Sequence, residues 1–204
     1  MLTYLCGEMR YRDENKIQAI RDSAIEMIAK DGLENFGINR LAKSAGVSPA
    51  TIYIYYKDKE DLLTSISVEE AQKMVRATMK GCHSGMPFRE WLWVQWKNRA
   101  AFGMDNHSVA GFFEQLRNSS YRDKMLETIS EEFKHAMGAY LENAVKSGEV
   151  NWVPVEVFWA VAFAPLYTLV KFHNEGRNID GSPFKLTESI MKAAFECIIK
   201  GMLK

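Results

Sequence analysis

The stretch Ile38-Asn-Arg-Leu-Ala-Lys-Ser-Ala-Gly-Val-Ser-Pro-Ala-Thr-Ile-Tyr-Ile-Tyr-Tyr56 decides the fold of this chain. It contains two short segments of helical character, 38–45 and 49–55, which are separated by Gly46-Val47-Ser48. Ala42 offers a small side chain before the turn, and Gly46 can adopt the positive φ that a sharp crossing of two helices requires. The segment therefore predicts a helix-turn-helix.

The residues around this turn also suit it. A shared apolar wedge between the two helices is predicted from Leu41, Ala45, Val47 and Ile52. Ser48 is placed to cap the second helix, and Pro49 fits its first turn, where no backbone N–H is needed. A plain helical hairpin is the alternative, but the turn, the cap and the wedge are all in register, which favours the helix-turn-helix.

The rest of the chain also shows helical periodicity. The first helix is predicted from about Asp13 to Asp31-Gly32, and a longer one from Asp58 to Lys80. Further helices are predicted near 87–102, 109–116, 120–146, 154–172 and 184–202, and Pro165 is expected to kink the helix that Pro154 opens. No β-branched residues alternate with polar ones between turn signals, so the sequence predicts an all-α fold.

Composition narrows the class of protein. The 204 residues carry 26 basic and 26 acidic side chains, so net charge alone does not indicate nucleic-acid binding. No apolar run is long enough to span a membrane, and no secretory signal opens the chain, so we expect a cytoplasmic protein that does not bind membranes. The three cysteines and four histidines are widely spaced, and no catalytic motif occurs, so we expect neither a metal site, a cofactor nor an enzyme.

A family resemblance begins at Gly32-Leu-Glu-Asn-Phe and continues through Leu41-Ala42, Ala45-Gly46-Val47-Ser48, Thr51-Ile52-Tyr53 and the run from Tyr55 to Leu63. This part of the chain resembles the TetR family of repressors. The resemblance implies a three-helix DNA-binding domain at 1–57, whose residues 1–12 would be a flexible arm, and a ligand-binding and dimerisation domain at 58–204. It departs from the family at Phe36-Gly37, where two hydroxyl residues usually cap the second helix, and at Ala50, where glycine is common.

The family pattern also implies which residues meet DNA. Lys59, at the start of the fourth helix, would bind phosphate, because it joins an ammonium group to a helix N-terminus. Bases would meet Pro49, Ala50, Ile54 and Asn39, of which only Asn39 can make a bidentate contact. The expected DNA-binding residues are Asn39, Ser48, Pro49, Ala50, Thr51, Tyr53, Ile54, Tyr55 and Lys59. Arg10, Arg12 and Lys16 would either reach DNA as an arm or remain solvated charges.

The C-terminal part is rich in aromatic and methionine side chains, which suit either an apolar ligand pocket or a protein core. Ligand-binding residues are predicted at Trp91, Trp96, Phe102, Phe112, Phe113, Phe163 and Tyr167. Polar side chains that would line such a pocket are Gln95, His107, His135 and Tyr140. The resemblance implies a dimer formed by the last two helices, through Phe158, Tyr167, Met191 and Phe195, although these residues also suit the core of a single chain.

These expectations lead to one functional hypothesis. The chain would be a ligand-responsive regulator, by resemblance a repressor, that binds palindromic operator DNA as a homodimer. A small apolar or aromatic molecule would release it from the operator. A protein-interaction module with a vestigial helix-turn-helix is the alternative, and an enzyme is a further one.

Overall fold

The computed structural model describes the backbone of residues 2–203 and the side chains of 14–123, 126–127, 130–131 and 133–203. Within these limits the chain is helical and contains no β-strand, which confirms the predicted all-α fold. The helices are α1 (Leu2–Asp31), α2 (Ile38–Ser44), α3 (Pro49–Tyr55), α4 (Lys59–Met79), α5 (Phe88–Asp105), α6 (His107–Arg117), α7 (Arg122–Lys146), α8 (Val155–Ala162), α9 (Ala164–Glu175) and α10 (Glu188–Met202). A short 3-10 helix, Leu33–Asn35, lies between α1 and α2.

The first helix differs from its prediction at one end. It ends at Asp31 as expected, where Gly32 donates its N–H to the Ile28 carbonyl with a φ of 81°. It begins at Leu2 and not near Asp13, because an acidic pair suits a helix interior as well as a helix start. The side chains of Arg10 and Arg12, the proposed arm, lie outside the described residues.

The chain divides into two compact units, and the boundary between functional domains at residue 57 stays a prediction. Unit 1 consists of residues 1–70 and 108–129, and unit 2 consists of 71–107 and 130–204. The first unit therefore includes α6, which lies in the middle of the chain. Sequence periodicity finds α6 as a helix but cannot tell which core receives its apolar face.

The core of unit 1 joins α6 to the helix-turn-helix. Its buried residues are Ile20, Ala24, Ile25, Ile28, Phe36, Leu41, Ala42, Ile52, Tyr56, Leu62, Leu63, Ile66, Val109, Phe112 and Leu116. Gly111 allows α6 to approach α1 closely, since a Cβ at this position would lie 3.1 Å from that of Ala29. The predicted wedge is confirmed, with Leu41 and Ile52 buried and Ala45 and Val47 packed against this core.

Backbone hydrogen bonds fix the turn between α2 and α3. Gly46 has a φ of 67°, and its N–H donates to the Lys43 carbonyl. The N–H of Val47 donates to the Ala42 carbonyl at 3.0 Å. This pair of bonds is the Schellman arrangement that closes a helix with a left-handed residue. The predicted role of Gly46 is therefore confirmed.

In unit 2, α5 and α9 lie in close contact. A Cβ at Gly103 would come within 2.9 Å of Val170 Cγ1, so only glycine fits without movement. The kink predicted at Pro165 is also present, as a 41° bend between α8 and α9 with Phe163 at the break. Proline causes the break because it has no N–H to donate one turn back and its ring crowds that carbonyl.

Among the described residues, no single helix is long and apolar enough to cross a membrane, although the bent pair α8 and α9 passes by length and composition.

The conformation of Gly46 generates a stability prediction. Gly46→Ala should lower the free energy of unfolding by roughly 1–2 kcal/mol, because an L side chain is strained at positive φ. Gly138→Ala is the control, since this glycine lies within α7 with nothing within 4 Å of an added Cβ. It should raise stability by about 0.5–1 kcal/mol. Urea unfolding followed by circular dichroism measures both, and equal shifts of the same sign would contradict the turn geometry.

Candidate functional site

The helix-turn-helix of unit 1 presents a set of exposed side chains that we call the reading surface: Asn39, Ser48, Pro49, Ala50, Tyr53 and Ile54. On α3, Ile52 faces the core with 1% of its surface exposed, whereas Tyr53 is 55% and Ile54 76% exposed. Successive helix residues are separated by 100°, so burial of Ile52 turns its neighbours outward. Six of the nine predicted DNA-binding residues therefore share this exposed surface.

Ser48 and Thr51 hold the start of α3. The Ser48 hydroxyl accepts the Thr51 N–H at 3.1 Å, and the two hydroxyl oxygens lie 2.9 Å apart. Pro49 occupies the first turn, as predicted. Ser48 thus caps α3, and Thr51 is half-buried. By contrast, Gly37 caps α2 without a side-chain hydrogen bond, as the departure at Phe36-Gly37 predicts.

Lys59 opens α4, but its ammonium group has partners within unit 1. Lys59 Nζ donates to the Phe36 carbonyl at 3.3 Å and lies 5.2 Å from the centre of the Phe36 ring. The N-terminus of α4 is closed by carboxylates: Asp58 accepts the Asp61 N–H at 2.8 Å, and Asp61 accepts the Lys57 N–H at 2.9 Å. Asp58 therefore caps α4, as predicted, while Asp61 binds the backbone of the residue before the cap.

The other basic side chains around the helix-turn-helix differ in whether they have partners within unit 1. Arg40 donates to Asp31 Oδ2 at 2.7 Å and to the Asn35 carbonyl at 2.6 Å, so its guanidinium is committed within unit 1. Lys43 on α2 and Lys57 just before α4 are exposed. These two lysines extend the basic surface around the turn. Counting local charge reveals them, but the family pattern does not assign them a contact.

The tyrosine that follows α3 is part of the scaffold. Tyr56 is 5% exposed and packs in the core of unit 1. Burial raises the pKa of the Tyr56 phenol above its ordinary value. Tyr55, at the end of α3, is half-buried, so the hydroxyls of this pair are less open to a partner than the hydroxyl of Tyr53.

The predicted ligand-binding residues do not form one site. Phe112 and Phe113 belong to unit 1, where Phe112 is fully buried in the core and Phe113 packs against it. In this structure α6 uses these two rings to complete the core of unit 1, and their role in ligand binding stays a prediction. Phe102 is half-buried on α5.

Trp91 and Trp96, also predicted to bind ligand, have partners in the core of unit 2. Trp91 stacks on Tyr140 with ring centres 4.4 Å apart, and Trp96 Nε1 donates to the Ala162 carbonyl at 2.7 Å. The Tyr140 hydroxyl donates to the Met86 carbonyl at 2.8 Å. Burial, together with the Glu149 carboxylate, raises the pKa of Tyr140. Neither tryptophan is exposed, and both pack in the core of unit 2.

Phe163 and Tyr167, the remaining two, surround an arginine that sequence reasoning does not single out. Arg99 is 2% exposed, and its guanidinium carbon lies 4.1 Å from the ring centre of Phe163. The rings of Phe133 and Trp159 lie 5.2 and 5.4 Å from it. We call Arg99 and the residues around it the Arg99 cluster: Gln95, Phe133, Met137, Trp159, Phe163 and Tyr167.

The hydrogen bonds of Arg99 orient its side chain. Nε donates to Gln95 Oε1 at 3.1 Å, and Nη1 donates to the Tyr167 hydroxyl at 2.7 Å. Nη2 has the thioether of Met137 at 3.5 Å, which is a weak acceptor. All three partners are uncharged. The signal in the sequence is a polar pair four residues apart, Gln95 and Arg99, on the buried face of α5 that also carries Trp91 and Trp96.

Two amides of α5 bind the end of α4. Gln95 Nε2 donates to the Thr78 carbonyl at 2.9 Å, which leaves its oxygen facing Arg99. Asn98 Nδ2 donates to the same carbonyl at 2.9 Å and to the Lys80 carbonyl at 2.7 Å. The last turn of α4 is therefore tied to the helix that carries Arg99.

The predicted dimer residues lie inside unit 2. Phe158, Met191 and Phe195 are 8%, 7% and 2% exposed, and Tyr167 is bonded to Arg99. Within a single chain these side chains pack inward, and their part in an interface stays a prediction. The outward faces of the same helices carry Val157 and Val161 on α8, 45% and 41% exposed, and Ile190 on α10, 36% exposed.

Comparison with known proteins places these features in a family. Residues 20–66, which contain the helix-turn-helix, match the sequence model of the bacterial regulatory proteins of the tetR family. The Fatty acid metabolism regulator protein of Bacillus subtilis (strain 168) is 28% identical over 139 residues, 67% of this chain and 71% of that protein. An uncharacterized HTH-type transcriptional regulator of Haemophilus influenzae is 23% identical over 92% of this chain and 96% of its own length.

Solved structures share the fold over nearly the whole chain. A TetR family transcription regulator from Marinobacter aquaeolei VT8 matches with a TM-score of 0.80 and 24% identity, covering 96% of this chain and 99% of that one. The transcriptional regulator FadR from Bacillus subtilis, in complex with stearoyl-CoA, matches with a TM-score of 0.72 and 21% identity, covering 90% and 98%. The family consists of transcriptional regulators and not of enzymes. Residues 20–66 are therefore a DNA-binding segment of the tetR type, and the whole chain shares the helical fold of TetR family transcriptional regulators.

Proposed function

We propose that this regulator is a repressor that binds a palindromic operator as a homodimer and leaves it when a small molecule with an apolar part binds unit 2. The exposure of Ile54 carries the proposal. A helix whose inner face is locked into a core presents a large apolar side chain, 76% exposed, next to the exposed Tyr53. Such an arrangement suits a surface that meets the major groove of DNA.

Contacts to DNA would divide into two kinds. The phosphate backbone would be contacted by Ser48, Thr51, Tyr53, Tyr55 and Lys59. These contacts would fix the position of the protein along the DNA. Asn39 would pair with a base edge, most favourably adenine, while Pro49, Ala50 and Ile54 would meet thymine methyl groups. Lys59 would have to exchange its Phe36 partners for a phosphate. The exposed Lys43 and Lys57 are additional candidates for phosphate contacts.

Dimerisation follows from the geometry of such a reader. One helix-turn-helix covers a single half-site, and two of them about one DNA turn apart read a palindrome. The outward faces of α8 and α10 are the proposed interface, with Val157, Val161 and Ile190 near its centre. Apolar side chains at helical spacing on neighbouring helices are typical of a helical dimer seam.

The proposed response uses α4, which runs unbroken from Lys59 to Met79. Its last turn is held by Gln95 and Asn98, so a ligand that shifts α5 would shift the end of α4. In a dimer, that movement would change the separation of the two reading surfaces and lower operator affinity. The related regulator that binds stearoyl-CoA supports an effector with an acyl chain.

The reading surface can be tested with Ile54→Ala on DNA from upstream of the protein's own gene. Because the side chain is exposed, the melting temperature of the protein should not change. Affinity for this DNA should fall about tenfold, because contacts to thymine methyl groups are lost. Ile179→Ala, which removes a 92% exposed isoleucine from a loop of unit 2, should leave affinity unchanged. Fluorescence anisotropy measures both, and absent or salt-insensitive binding by the wild type would contradict the DNA proposal.

Lys57 gives a separate electrostatic prediction. Lys57→Met should reduce the slope of log K against log salt by about 0.9 per phosphate contact, or about 1.8 in a dimer, on any duplex. Lys146→Met, which removes another exposed lysine from the end of α7, should leave the slope unchanged. An unchanged slope for Lys57→Met would remove Lys57 from the interface.

The dimer seam predicts the effect of a charge at Val161. Val161→Glu should raise the dimer dissociation constant at least about a hundredfold, because two desolvated like charges would approach each other across the twofold axis. Leu126→Glu is the control, since Leu126 is 39% exposed but lies in unit 1. Sedimentation velocity over a concentration series measures the dissociation constant. A Val161→Glu dimer as stable as wild type would place the interface elsewhere.

A further inference from the structure

Among the side chains that the structure describes, no carboxylate pairs with the buried cation of the Arg99 cluster. Arg99 is 2% exposed, its hydrogen-bond partners are uncharged, and the ion pairs found among the described side chains involve other residues. A buried charge is costly unless it is paired, and removal from water costs several kcal/mol per ion. Three aromatic faces compensate in part, because the ring quadrupole attracts a cation. An anion remains the partner that such a site would bind most strongly.

The guanidinium has donors left for that anion. It carries five N–H groups. One is used on Gln95 and one on Tyr167, and a third faces the weakly accepting Met137 sulfur. Nη1 and Nη2 therefore each retain donor capacity, and these two nitrogens form a planar fork that fits the two oxygens of a carboxylate.

The surroundings select the rest of the ligand. Phe133 and Phe163 are buried, whereas Trp159 and Tyr167 are half-buried and form the outer side of the cluster. Met137 is the flexible member, and a thioether adapts readily to a new neighbour. A molecule that places an acid group on Arg99 would therefore lay its apolar part against aromatic rings and methionine.

We propose that the Arg99 cluster recognises the carboxylate of an amphiphilic monocarboxylic acid, which acts as an effector of this regulator. This inference rests on the proposed ligand response and adds the chemical class of the recognised head group. Binding is non-covalent: the carboxylate accepts hydrogen bonds from Nη1 and Nη2, and Met137 gives up its weak contact. Gln95 is a positioning residue, because its oxygen fixes Arg99 Nε while its amide nitrogen holds the Thr78 carbonyl at the end of α4.

The test compares decanoate, 1-decanol and decanoyl-CoA on the full-length protein. Isothermal titration calorimetry measures binding, and anisotropy on upstream DNA measures release. Wild type should bind decanoate at least about tenfold more tightly than 1-decanol, because the alcohol cannot make the charge-assisted pair. Equal affinity for the acid and the alcohol would overturn the proposal.

Variants at Arg99 decide whether that preference belongs to this cluster. Arg99→Met should abolish the preference for the acid while DNA binding without ligand persists, and Arg99→Lys should retain only part of it, because an ammonium lacks the fork. Tyr167→Phe is a smaller change at the outer side of the cluster, and it keeps the test decisive if Arg99→Met fails to fold. This variant should bind decanoate more weakly than wild type does and should bind 1-decanol equally well. Undiminished acid preference in Arg99→Lys and Tyr167→Phe would overturn the assignment.

The two proposals fail in different ways. If decanoyl-CoA releases DNA equally from wild type and Arg99→Met while decanoate does not bind, the ligand response stands and the carboxylate assignment is wrong. If decanoate binds through Arg99 but no probe changes DNA affinity, the carboxylate is bound and its role as effector is wrong. Loss of all DNA binding in wild type contradicts the proposed function independently of calorimetry.

Discussion

The continuity of α4 is the constraint on which the structure depends. This helix of 21 residues is about 30 Å long. Its first part belongs to unit 1 and its last part to unit 2. Carboxylates of Asp58 and Asp61 close one end, and amides of Gln95 and Asn98 hold the other. A helix whose terminal backbone groups are satisfied at both ends resists local melting.

The scaffold of the helix-turn-helix could be predicted because its determinants are local. Gly46, Ser48, Pro49 and Asp58 act on backbone groups within a few residues, and each does in the structure what its chemistry implies. The kink at Pro165 belongs to the same class, since it depends on one ring and one missing N–H. Local signals of this kind need no knowledge of tertiary contacts.

Predictions that required tertiary contacts were less successful. The aromatic composition of α5 and α6 does not tell which unit each helix joins, so the place of Phe112 in the core of unit 1 could not be predicted. On α8 the buried and exposed faces are both largely apolar, so the sequence does not decide whether Phe158 or Val157 faces the core. Arg99 was missed because composition treats an arginine as a surface charge, whereas the surrounding rings come from distant parts of the sequence.

The apolar character of the reading surface has a consequence for the DNA it prefers. Of the side chains proposed to face bases, Pro49, Ala50 and Ile54 offer no donor or acceptor, so in the proposed complex they would contact the C5 methyl group of thymine. An operator in which uracil replaces thymine would keep every base pair and lose these contacts. A reader of this type would recognise thymine through the shape of its methyl group and not through hydrogen bonds to its edge.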